Sequence, residues 1–114
     1  MKAVVAATNS MLASKVETAD DFVSRGVGLL GRSGLAEGEA LWLIPGKSIH
    51  TFFMRFAIDV LFLDKSLVVK HVIENMGPWR VSPWVSEADS VLELPAGSLR
   101  GSVNVGDRLE MRAA

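Results

Sequence analysis

The chain has 114 residues, 49% of them hydrophobic and 22% charged. That length encloses one hydrophobic core and is too short for two, so one domain spanning 1–114 is expected, and the composition excludes a disordered chain. Twelve Lys and Arg against thirteen Asp and Glu leave a net charge of −1, and cysteine is absent; there is no overall field to hold a polyanion such as DNA, and no disulfide, thiolate metal site or thiol nucleophile.

The first residues carry one Lys and a short apolar run, Ala3 to Ala7, which Thr8, Asn9 and Ser10 interrupt before it reaches leader length. No apolar stretch approaches the ~20 residues of a membrane span, so a cytoplasmic protein without a membrane partner is expected. A first strand is predicted around Leu12 to Val16. Thr18 followed by Asp21 resembles a capping box, with Asp in place of the usual Glu, and predicts a helix of about two to three turns beginning near Thr18. Phe22, Val23, Gly26, Leu29 and Leu30 lie close to helical spacing, and Gly31 supplies a left-handed end. Gly34, Glu37, Gly38 and Glu39 then read as a turn.

From Ala40 onward the pattern changes to strands. Ala40 to Ile44 is a short apolar run closed by Pro45 and Gly46, and Ser48 to Phe56 follows as a second strand. Ile58 to Leu63 and Leu67 to Asn75 are rich in β-branched and large apolar residues, and the three residues Asp64, Lys65 and Ser66 between them predict a hairpin. Ser90 to Leu94 is another strand, stopped by Pro95, Ala96 and Gly97; Ser98 caps a single helical turn through Leu99 to Val103, and Arg108 to Arg112 is the last strand. About six short strands and one principal helix imply a mostly β, α+β domain. Its small antiparallel or mixed sheet would curl around its own core, barrel-like, with the helix over an open side.

Several segments carry a family likeness: residues 25–32 (RGVGLLGR), 49–64 (IHTFFMRFAIDVLFLD), Pro78-Trp79-Arg80, 91–97 (VLELPAG) and Gly106-Asp107. In this order, from about residue 25 to 107, the sequence resembles the family called domain-of-unknown-function 192. Ala57 stands where members usually have Pro. The resemblance implies a compact β-rich domain found alone in many bacteria, in cytoplasmic and exported versions, with no agreed activity and no catalytic residues to carry over.

Alternation along Ser48 to Phe56 puts His50 on one face with Phe52, Met54 and Phe56; the same count groups Asp59 with Leu61 and Leu63, and His71 with Val69 and Ile73. A partly buried His50 and Asp59 have the makings of an acid–base pair, but the favoured reading of each is a satisfied structural polar group, with Asp59 accepting backbone N–H bonds. No ligand set for a metal exists, because the two histidines are far apart and no H-x-x-x-H or H-E-x-x-H spacing occurs; no cofactor is expected either. Gly26, Gly28 and Gly31 fit G-x-G-x-x-G, but within or at the end of a predicted helix rather than between strand and helix, a context that speaks against a dinucleotide site.

Trp79, Arg80 and Trp84, in a loop with Pro78 and Pro83, are suited to stack on a flat ligand or to pin the loop over the core. The preferred reading is a non-enzymatic module with a groove lined by Arg25, Arg32, His50, Arg55, Trp79 and Arg80 that binds a small anionic molecule. The alternative is a hydrolase-like enzyme using His50 and Asp59. Single-strand nucleic-acid binding would need Lys and Arg clustered on one face, against the neutral balance. Arg55, Trp79 and Arg80 are expected at one rim, with an Arg55–Asp59 ion pair as the competing structural role for Arg55.

Overall fold

The computed structural model describes residues 1–19 and 34–113. Short β-rich runs separated by turn residues give eight strands there: β1 Lys2–Val5, β2 Met11–Ala13, β3 Lys15–Ala19, β4 Glu39–Leu43, β5 Ile58–Leu63, β6 Val69–Met76, β7 Ser90–Pro95 and β8 Leu109–Arg112. Five form a sheet in the order β3-β4-β7-β5-β6, and three form a smaller one in the order β2-β1-β8. In the large sheet β3 runs parallel to β4 and the remaining pairs are antiparallel.

The period of two gives the large sheet two buried faces. Val16, Ala40, Leu61, Leu63, Leu92 and Leu94 point to one side, where they pack with Ala3, Val5 and Leu109 of the small sheet. Leu41, Val60, Phe62 and Val91 point to the other, where Met54, Met76 and Ala88 join them. Strand β5 is buried along its whole length, and each Leu or Phe buried in it contributes about 1.5–3 kcal/mol. The sheets are tied by an isolated bridge between Val68 and Arg108, by Val69 N–H to the Asp107 carbonyl at 2.8 Å and by Leu109 N–H to the Leu67 carbonyl at 2.9 Å.

The principal helix and the α+β class are corrected: among the described residues there is no helix, and the architecture is all-β, two open sheets rather than a barrel. Nor, therefore, is any helix there long and apolar enough to cross a membrane. Thr18 is not a cap. It lies in β3 opposite Trp42, so tertiary pairing with β4 takes up the backbone that the capping signal would have turned into helix. The rest of the expected helix lies outside the described residues.

Three further expectations change. The apolar start is strand β1, which finds its partners β2 and β8 on the far side of the core. Residues 98–103 make turns instead of a helical turn: the Ser98 hydroxyl donates to the Pro95 carbonyl at 2.6 Å, and Arg100 and Gly101 are left-handed at φ 49° and 73°. The hairpin forms, but its loop runs from Asp64 to Val68. Asp64 Oδ1 accepts the N–H groups of both Ser66 and Val68 at 2.9 Å, and Leu67 takes φ 63°. The Val68 bond, foremost, holds the Asp64 carboxyl below its ordinary range.

Candidate functional site

The segment Ser48–Phe56 is not a strand. Only His50 makes a bridge, with Val81, and the segment is instead zipped to the loop that follows β6. Thr51 is the centre of that zip. Its N–H donates to the Arg80 carbonyl at 2.8 Å, its carbonyl accepts from Trp79 N–H at 2.9 Å and from Met54 N–H at 3.1 Å, and its hydroxyl donates to the Gly77 carbonyl at 2.6 Å. Arg80 N–H donates back to the hydroxyl at 2.9 Å. Ile49 and Ser82 add a second rung: Ile49 N–H donates to the Ser82 hydroxyl and Ser82 N–H to the Ile49 carbonyl, both at 2.9 Å. Lys47 closes the far end by donating to the Ser86 carbonyl at 2.8 Å and to that of Ala88.

This bonding fixes the backbone from below and leaves large side chains outside. Phe53 is 68% exposed, Trp79 59% and Trp84 72%. Trp79 lies between two phenylalanines, with ring centroids 4.6 Å from Phe53 and 6.0 Å from Phe52, and His50 lies 5.0 Å from Phe52. Phe53 and Trp79 both have left-handed backbones, at φ 66° and 62°, a conformation costing about 1–3 kcal/mol for a bulky residue. The loops thus carry strain in order to present rings to solvent. Period-two alternation fails here for the same reason: Met54 is buried while Phe52 and Phe53 are out.

The structure brings His50, Arg55, Trp79 and Arg80 onto these two joined loops; Arg25 and Arg32 lie outside the described residues. Arg55 and Arg80 are exposed, and among the described residues neither guanidinium is in an ion pair or side-chain hydrogen bond. The Arg55–Asp59 pair is therefore not formed.

Asp59 is fully buried on the face that packs against the small sheet, and both of its oxygens serve the backbone: Oδ1 accepts Asn75 N–H at 2.8 Å and Oδ2 accepts Leu99 N–H at 3.0 Å. It clips β5 to the end of β6 and to the turn after β7. Neither imidazole is its partner. His50 Nδ1 accepts Phe52 N–H at 3.2 Å, and His71 lies against Phe62 at 5.7 Å.

One acid escaped notice in the sequence. Glu93 sits in β7 between Leu41 of β4 and Val60 of β5, and is 5% exposed. It has no hydrogen-bond or ion-pair partner among the described residues, and burial pushes its carboxyl up to about 7. The available signal was a lone charge within 90–94, a run otherwise fit for burial on both faces.

The profile of the DUF192 family, described as "Uncharacterized ACR", matches residues 3–111. A UPF0127 protein of Pyrococcus abyssi is 38% identical over 103 residues, covering 84% of this chain and 85% of that one. One from Pyrococcus furiosus is 36% identical over 104 residues, with 84% and 85% covered. These relatives are archaeal, which corrects the bacterial distribution expected above. The crystal structure of a protein of unknown function from Novosphingobium aromaticivorans superposes with a TM-score of 0.85 at 20% identity, over 97% of this chain and 84% of that one. A Sinorhizobium meliloti protein described as a candidate transcription regulator superposes with a TM-score of 0.78 at 26% identity, over 96% and 89%.

Proposed function

Because this chain belongs to the DUF192 family, whose matched relatives are named without an activity, we propose from its own geometry that it is a non-enzymatic binding module for a small anionic molecule carrying a flat apolar ring. One observation carries the reading. The two zipped loops, 44–57 and 77–89, contain three cations, Lys47, Arg55 and Arg80, and two acids, Glu87 and Asp89, both of which lie at the far end that Lys47 closes and not at the end carrying the rings. The rest of the chain therefore has 12 − 3 = 9 cations against 13 − 2 = 11 acids, a net charge of −2. Lys47 is occupied by carbonyls, which leaves Arg55 and Arg80 for the anion and Trp79 with Phe53 for the ring. The opposite charge of the body repels an anion elsewhere and directs it to this rim. A cytoplasmic setting belongs to the same proposal, and the cysteine-free composition suits it.

The test is a nuclear magnetic resonance titration with phenyl phosphate, inorganic phosphate and phenol. Phenyl phosphate is expected to shift the amides of Phe52 to Arg55 and Trp79 to Val81 saturably, more tightly than either half alone. Arg80→Ala is expected to weaken it roughly tenfold or more, the loss of one charge-assisted contact. Shifts scattered over the surface, or binding indifferent to both Trp79→Ala and Arg80→Ala, would sink the proposal. A single-stranded oligonucleotide belongs in the same series because of the description given to the Sinorhizobium protein. Preference for it over phenyl phosphate would replace the small anion by a nucleic acid.

A further inference from the structure

The ligand reading makes no use of Glu93, which is the more unusual group. Its side chain occupies the row Glu17–Leu41–Glu93–Val60–Ile73 across the large sheet, on the loop-covered face, and both immediate neighbours are buried hydrocarbon. Among the described residues, every fully enclosed side-chain nitrogen or oxygen has a hydrogen-bond partner. The Glu93 carboxyl has none among the described residues, and the residue keeps 5% of its surface exposed. The titratable groups facing the same side from the strands are Lys15 and Glu17 of β3, Glu39 of β4 and His71 of β6. The loops over that face contribute Lys47, His50, Arg55, Arg80, Glu87 and Asp89. None of these forms an ion pair with Glu93, so its state is set by the apolar layer around it.

We propose that Glu93 is a proton-controlled latch on the loop-covered side of the sheet: while its carboxyl is neutral the layer containing Met54 and Val60 stays shut, and loss of the proton admits water there and loosens the two loops. Burial places the change near pH 7. The sign follows from linkage. The closed form keeps a proton that the opened form releases at its ordinary value of 4.5, so opening becomes easier as the pH rises and levels off above about 7. Between pH 6 and pH 8 the opening equilibrium should increase roughly tenfold.

The experiment uses the intact chain and no ligand, so it stands or falls apart from the binding proposal. The side-chain carboxyl carbon of Glu93 is followed by carbon-detected resonance from pH 4 to 9, and amide exchange of Thr51, Met54, Arg80 and Ser82 is measured at pH 6 and 8 after correction for intrinsic base catalysis. A carboxyl midpoint near neutrality is expected, with roughly tenfold faster corrected exchange at pH 8 that Glu93→Gln abolishes. A midpoint near 4.5, equal corrected exchange at the two pH values, or an unchanged pH dependence in Glu93→Gln would overturn the latch. Should Glu93→Gln not fold, the carbon titration and exchange of the unaltered chain decide alone.

Discussion

Among the described residues, the two faces of the large sheet each bury one acid, and the acids are nearly neighbours. Asp59 stands opposite Leu94, and Glu93 opposite Val60, on the adjacent central strands β5 and β7. On the face covered by the small sheet, Asp59 meets two backbone N–H groups at 2.8 and 3.0 Å and acts as part of the framework. On the face covered by loops, Glu93 meets hydrocarbon and has no partner among the described residues. Equal burial therefore says little about an acid's role. The number of donors that reach it decides whether the carboxyl fastens the fold or opposes it.

The comparison is attacked most directly through Asp59. Asp59→Ala strands the buried Leu99 N–H and removes the partner of the Asn75 N–H near the surface, and with about 1–3 kcal/mol for each a loss of about 2–4 kcal/mol is expected in chemical denaturation. A loss below about 1 kcal/mol would show that the clip is ornamental. Of similar size is a pair of changes one residue apart. Leu92→Ala, on the dry face, should cost about 2–5 kcal/mol. Glu93→Leu should stabilise by about 3 kcal/mol at pH 8 and by about 1 kcal/mol at pH 5, because the carboxyl raised from 4.5 to about 7 favours folding only while it keeps its proton. Stability of the unaltered chain should accordingly be full below about pH 4.5 and fall until about pH 7 from this group, as read in denaturation midpoints across that range. The smallest effect belongs to the rim. Trp79→Gly should be more stable than Trp79→Ala by about 0.5–1 kcal/mol, since φ 62° suits glycine and not alanine. Equal stability of the two variants would remove the case for stored strain there.

How much of this was legible in the sequence depended on where each segment finds its hydrogen bonds. The hairpin of β5 and β6 and the strands β4 and β7 carry unbroken apolar runs bounded by turn residues, and they appeared as expected to within a residue or two. Residues 48–56 have the same aromatic, β-rich appearance, yet their backbone bonds go to residues 77–85, and left-handed Phe53 breaks the alternation. Such a partner is invisible to any local window. Thr18 shows the same in reverse, a sound local capping signal overruled by a strand, β4, more than twenty residues away. At the candidate site, Trp79 and Arg80 stand out in the sequence as a bulky and a charged residue in a loop with Pro78 and Pro83, and Arg55 as the charged end of an aromatic segment. Glu93 was missed because one acid in an apolar strand looks like an ordinary solvent-facing position until both faces of the sheet are known to be covered.

The pairing of β1 with β8, in which Lys2 lies opposite Arg112, has a consequence for how the protein is made. During synthesis the first strand leaves the ribosome long before its partner exists. At about 5–20 residues per second, the apolar stretch Ala3 to Val5 waits roughly 5–20 s for residues 109–112. Of the two sheets the small one is thus completed later, and a nascent chain stalled before Leu109 leaves β1 without one of its partners, its edge open to a chaperone or another unfinished copy.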